Sequence, residues 1–137
     1  MTNEEVIDLI ADAGFGTLAT TEGDQPRVRP MMPILNEDNK KLLIALLGGS
    51  RSITQVEINP KVEICFLDRK MWYARVTGIA KITENSEYKE LLWNTIPMLK
   101  QYFGGPNDEN FILMEIDIST IEASTPHQKS PDTINLS

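Results

Sequence analysis

One cysteine, Cys65, and one histidine, His127, are the only soft metal ligands of that kind in the 137 residues. A lone cysteine excludes an internal disulfide. Its setting, Val62-Glu63-Ile64-Cys65-Phe66-Leu67, reads as a strand and predicts a buried small hydrophobe rather than a nucleophile. The single histidine falls in a polar C-terminal stretch, so neither a His/Cys metal centre nor a hydrolytic triad with a central imidazole is expected. Basic residues are outnumbered 13 to 20, and a net charge of −7 repels nucleic acid and anionic lipid. No apolar run approaches the ~20 residues of a membrane-spanning helix, and the acidic start Met1-Thr2-Asn3-Glu4-Glu5 is unlike a signal peptide. The expected address is the cytoplasm, with no nucleic-acid or membrane partner. Carboxylates are plentiful, but Glu57, Glu63, Glu84 and Glu87 read as solvated faces or turns, and no catalytic acid–base pair is assigned.

What is present suits one globular domain: hydrophobic residues make up 41% and charged residues 24%. Thr2 and Glu5 form a capping box, Val6, Leu9, Ile10 and Ala13 follow at helical spacing, and Gly14 stops the helix. Extended segments are expected at Phe15–Thr21, Arg27–Leu35, Lys41–Leu47, Lys61–Asp68, Met71–Thr83 and Phe111–Ala123. Pro30 and Pro33 place the second at an edge or interrupt it, and Gly78 suggests a bulge in the fifth. A second capping box, Ser52 to Gln55, opens a short helix that ends before Asn59-Pro60; Asn85–Phe103 is helical with a break at Pro97. Six strands with a few helices predict a mainly β fold, a six-stranded antiparallel split barrel with flanking helices, over residues 1–123, followed by a tail at 124–137. A sheet with helices on one face is the competing α+β arrangement.

The strongest local chemistry lies in the strand–Gly48-Gly49-Ser50-Arg51-Ser52–helix unit. Glycines admit a ligand to the backbone, a helix start offers unpaired amides, Arg51 is a planar cation, and Ser50 and Ser52 add hydroxyls. Together these form a candidate phosphate cradle, although the same turn, cap and surface arginine occur where nothing is bound. Arg27 and Arg29 share one face of the second strand, so one can meet a ligand while the other meets solvent.

Gly16-Thr17-Leu18-Ala19-Thr20, Gln25-Pro26-Arg27-Val28-Arg29-Pro30, Gly49-Ser50-Arg51 and Asn59-Pro60-Lys61-Val62, in that order, resemble the pyridoxamine 5′-phosphate oxidase-like superfamily, in particular its small general-stress-protein type. The resemblance covers residues 3 to 123 and implies a split barrel that binds flavin mononucleotide (FMN) between the subunits of a homodimer. It further implies a phosphate held by Arg29, Ser50, Arg51 and Ser52, a flavin ring lined by Pro30, Met31 and Met32 on the stretch to Ile34, a contact at Ala45 and Leu46, and a ring contact at Tyr73. The activity so implied is that of an FMN-dependent oxidoreductase or flavin reductase with a small-molecule substrate. A non-catalytic flavin-binding or sensing module and a degenerate barrel without cofactor are the alternatives. The chain departs from the pattern where Ser52 replaces a lysine, where Leu46 replaces a hydroxyl residue and where the C-terminal arginine–histidine segment of true oxidases is missing. Authentic pyridoxamine 5′-phosphate oxidation is therefore not expected. Haem and deazaflavin are also used within this superfamily; the lack of a well-placed histidine disfavours haem.

Overall fold

The structure is a computed structural model that describes residues 1–136. Helix α1 (Asn3–Ala13) begins as its capping box dictates: the Glu5 amide donates to Thr2 Oγ1 at 3.1 Å and the Thr2 amide to Glu5 Oε1 at 3.0 Å. Strands β1 (Gly16–Glu22) and β2 (Gln25–Met31) form a hairpin whose two-residue loop opens on Gly23 at φ +64°, a conformation glycine adopts without strain. There follow β3 (Ile34–Asn36), β4 (Lys41–Leu47), α2 (Arg51–Ile58), β5 (Lys61–Leu67), β6 (Tyr73–Thr83), α3 (Ser86–Thr95), a 3₁₀ turn at Pro97–Gln101, β7 (Phe111–Ser124) and β8 (Asp132–Ile134).

All strand pairs are antiparallel, in the order β2-β1-β5-β6-β7-β4-β3, with β8 added to β7. The two ends of that path, β2 and β3, are joined in the chain only by Met32 and Pro33. A flat sheet cannot bring its first and last strands within two residues, so the sheet curls round on itself. Pro30 and Pro33 flank the seam, where their missing amide hydrogens deprive no ladder of a donor. The expected antiparallel barrel is therefore present, with eight strands rather than six. One extra strand arises because Pro33 splits the second extended segment. The other arises because the stretch from 124 onward is not free: β8 pairs with Ile121–Ala123 and buries Ile134.

Alternation sorts the side chains. Val62, Ile64 and Phe66 of β5 point into the barrel with Leu18, Leu42, Ile44, Val76, Met114 and Ile116, and α1 adds Val6, Leu9 and Ile10. On the outer side of β4 and β7, Leu43, Phe111 and Leu113 pack under Leu92, Ile96, Leu99 and Phe103 of the helical segment, which Pro97 divides as expected. The bulge in β6 falls between Thr77 and Gly78. Cys65 corrects the sequence reading: it lies on the outward side of β5 and is exposed, because Ile64 and Phe66 take the inward positions.

Candidate functional site

The predicted capping box from Ser52 to Gln55 does not form: helix α2 is capped two residues earlier, and the Gln55 side chain is used on Thr20, Arg29 and Glu22 instead. Ser50 is the N-cap of α2, and its side chain makes no capping bond. Gly49 precedes it at φ +84°, which turns the chain from β4 into the helix. The backbone amides of Arg51 and Ser52 have no partner among the described residues. Ser50 Oγ is buried and makes no hydrogen bond. Three donors at one helix start, which carries a partial positive charge, are thus without a partner among the described residues.

Arg29 comes to this place from β2, where it stands opposite Leu18 on the barrel-facing side. Its Nη1 donates to the Leu18 carbonyl at 3.1 Å, and its Nη2 to Thr20 Oγ1 at 2.8 Å and to Gln55 Oε1 at 2.6 Å. No carboxylate pairs with it among the described residues. Burial pushes its pKa below the ordinary value, yet a guanidinium remains charged at neutral pH. Arg27, two residues earlier, is spent differently: its Nη2 pairs with Glu22 Oε1 at 2.9 Å. Glu22 also accepts from Gln55 Nε2 at 3.3 Å, and its carboxyl is held below the usual range chiefly by Arg27, then by Gln55.

A groove of about 270 Å³ opens here, lined by Glu22 and Gly23 of the hairpin and by Gly49, Arg51, Gln55 and Ile58. It is slightly smaller than the ~300–1,000 Å³ of typical small-molecule pockets. Its size suits the phosphate end of a ligand rather than a whole flavin; its lining pairs one carboxylate, Glu22, with one guanidinium, Arg51, and Arg29 stands behind Gln55 rather than in the lining. The donors near the start of α2 are of the kind a phosphate takes: the Arg51 guanidinium in the groove and, beside it, the uncompensated Arg29, the orphaned Ser50 hydroxyl and two free amides.

Other predicted residues lie elsewhere. Ser52 is 7% exposed and turned inward. Leu46 belongs to the barrel core, and Ala45 packs beneath α3. Met31 packs against the barrel core; Met32 lines a separate apolar cavity of about 440 Å³ with Ile7, Ile10, Pro33, Ile34 and Ile96. Pro30 is exposed on the outer face opposite Thr17. Tyr73 stands at the start of β6 opposite Leu67, and β1 and β5 separate it from β2. At ~4.8 Å per strand that is ~14 Å, so Tyr73 is not part of the Arg29 cluster in the same protomer. Sequence reading missed Glu22 and Gln55. The first looks like turn chemistry and the second like a capping residue; the face Ser52, Gln55, Val56 at helical spacing is the available signal for its burial.

The comparisons agree with this architecture. Residues 2–129 match the family model described as pyridoxamine 5′-phosphate oxidase like. General stress protein 26 of Bacillus subtilis (strain 168) is 26% identical over 140 residues, spanning 97% of this chain and 95% of that protein. The crystal structure of general stress protein 26 from Bacillus anthracis str. Sterne superposes with a TM-score of 0.81 at 30% identity, covering 97% of each chain. A heme binding protein from Mycobacterium smegmatis shares the fold alone, with a TM-score of 0.77 at 15% identity, over 95% of this chain and 56% of that one. With the family model matching nearly its whole length, the chain belongs to the pyridoxamine 5′-phosphate oxidase-like family.

Proposed function

We propose that this protein binds FMN, with the flavin phosphate at the start of α2, and acts as an FMN-dependent oxidoreductase or flavin reductase. The observation that carries the reading is Arg29: a partly buried guanidinium held by three neutral acceptors, with no carboxylate to balance it. Unpaired buried charge is unfavourable, and a phosphate supplies the missing counter-charge. Arg51 and the amides of Arg51 and Ser52 complete the anion's shell. When bound, FMN supplies the hydride and electron transfer chemistry. The chain's own residues then bind and orient, which agrees with the lack of a matched acid–base pair.

A second copy of the chain completes the site in this reading. The outer face of β2, β1, β5 and β6 is left bare and carries Val28 at 67%, Leu67 at 51% and neighbouring Phe15 at 56% exposure, with Pro30, Cys65 and Tyr73 among them. Thr17, Glu63, Arg75 and Thr77 share this face, with Arg75 paired to Glu63 and Glu122, so it presents exposed apolar side chains around an ion-pair cluster, the mixed character of a non-obligate interface. Pairing through it brings a partner's outer-face residues, Tyr73 included, toward the flavin ring that the groove is too small to enclose.

One observation favours a second reading, a module that binds flavin without turnover: Ser52 stands where a lysine charge is expected and is buried, so the phosphate has one cation fewer. A haem-binding role, suggested by the Mycobacterium smegmatis neighbour, lacks a comparable support, since His127 is exposed in a turn after β7. The test is an absorption spectrum and fluorescence titration of the purified protein with FMN, followed by NAD(P)H oxidation assays with several acceptors. Quenching of flavin fluorescence with saturable binding supports the site; turnover then separates the enzyme from the binding module. Failure to bind FMN at tens of micromolar overturns both.

A further inference from the structure

Arg29 has five N–H donors, and three are engaged, leaving two for a ligand. The engaged ones fix the plane of the guanidinium, and the acceptor that ties it to the helix is Gln55. Gln55 is only 5% exposed, and every polar atom of its side chain is used. Oε1 accepts from Arg29 Nη2 at 2.6 Å and from Thr20 Oγ1 at 2.6 Å, while Nε2 donates to Glu22 Oε2 at 3.3 Å. Gln55 thus sits between two oppositely treated arginines. On one side lies Glu22, neutralised by Arg27; on the other lies Arg29, held but not neutralised.

We infer that Gln55 is the positioning residue of the anion site, an uncharged clamp that orients Arg29 without compensating its charge. The inference rests on the phosphate reading above. The physical argument is one of choice of side chain. A glutamate of nearly the same shape at position 55 offers Arg29 an ion pair through the oxygen that accepts from Nη2, and turns its other oxygen toward the Glu22 carboxylate. That pair satisfies Arg29 internally and places a negative charge where the phosphate must come. A leucine leaves the Arg29 Nη2 and the Thr20 hydroxyl short of an acceptor, and Arg29 is free to leave its plane. Glutamine meets both needs: an oxygen for orientation and no net charge. The Nε2–Glu22 bond fixes which way round the amide lies, since a carboxylate accepts and cannot donate.

The experiment compares FMN with riboflavin, which shares the rings and lacks the phosphate, for the unaltered protein, Gln55→Glu and Gln55→Leu. Kd is measured by fluorescence quenching, with a thermal melt of each variant. Gln55→Glu is expected to weaken FMN at least tenfold while leaving riboflavin within about twofold, in a protein that melts cooperatively. Gln55→Leu is expected to lose the same selectivity by a smaller factor, and to add nothing to the loss already present in Arg29→Ala. A merely structural role lowers both flavins together. An unchanged FMN-to-riboflavin ratio in Gln55→Glu, with FMN bound by the unaltered protein, overturns the positioning role alone. No preference for FMN in the unaltered protein overturns the phosphate reading, and this role with it.

Discussion

Arg27 and Arg29 stand two residues apart on one face of β2, and only the first has a carboxylate: Glu22 lies 2.9 Å from Arg27 Nη2, while Arg29 meets a carbonyl, a hydroxyl and an amide oxygen. The same residue type on the same strand therefore does two jobs. Arg27 balances the hairpin, and Arg29 is kept for an anion. Arg29→Ala is expected to weaken FMN at least tenfold, about 1.4 kcal/mol, and Arg27→Ala less than threefold. Isothermal titration of both variants checks this, and equal losses count against the assignment.

Ser50 provides a test that separates binding from stability. Its Oγ is buried without a partner and does not cap α2, so the unliganded fold gains nothing from it. Ser50→Ala is expected to leave stability unchanged or raise it by up to about 1 kcal/mol, since an unsatisfied buried hydroxyl is unfavourable. FMN affinity should fall by a factor of about 2–10, one hydrogen bond's worth. Urea unfolding with and without FMN measures both.

Gly78 has no room for a side chain. A Cβ there would lie 2.5 Å from the Asp117 carbonyl oxygen and 2.6 Å from Ile116 Cγ2. The oxygen belongs to the neighbouring strand's backbone and cannot swing aside. Gly78→Ala is expected to destabilise the protein by about 2–3 kcal/mol in urea, without a selective effect on FMN over riboflavin.

The ion pair of Lys41 Nζ with Asp117 at 2.6 Å, shared with Glu115 at 3.0 Å, links β4 to β7. Hydrogen bonding to Lys41 holds the Asp117 carboxyl below its ordinary range, and the same bond raises the Lys41 ammonium. A lowered carboxylate pKa gives stability that is present above its unfolded value of about 3.9 and lost as pH falls through the folded one. A raised lysine pKa gives stability present below about 10.4 and lost as pH rises through its folded value. The contribution should therefore be flat across neutral pH and fade at both extremes. In Lys41→Met, unfolding between about pH 5 and pH 2 should be less pH-dependent than in the parent, by denaturant titration at each pH.

The bare outer face gives an expectation for assembly. Val28→Asp places a charge at the β2 edge of the proposed contact, on its most exposed apolar side chain. It is expected to convert a dimer to a monomer on a sizing column and to weaken FMN and riboflavin together, since the ring side of the site is lost. A parent protein that runs as a monomer would falsify the pairing.

Much of this was legible in the residue order. The period-two pattern of Val62, Ile64 and Phe66 gives the direction of β5, and the Thr2–Glu5 box gives the start of α1, because both are local rules. Cys65 departs from expectation because it has the opposite parity to Ile64 and Phe66 in an apolar run, and parity rather than apolar character sets which side faces out. The strand at Asp132–Ile134 was hidden in polar sequence. It exists because β7 extends to Ser124 and offers Ile121–Ala123 as a template, a tertiary fact that no short window contains. At the site, Arg29, Ser50 and Arg51 were visible through their types and their place before a helix. Gln55 and Glu22 were not, because their roles are relations to residues 26 and 33 positions away.

The claim on which the account turns is that a phosphate, not merely a ring system, is held at the start of α2 beside Arg29 and Arg51. Calorimetric titration of the unaltered protein with FMN and with riboflavin tests it most directly. The account predicts that FMN binds at least about a hundredfold more tightly, some 2.7 kcal/mol, and that Arg29→Ala with Arg51→Ala removes the difference. Equal affinity for the two flavins, or a difference that survives the loss of both arginines, contradicts it.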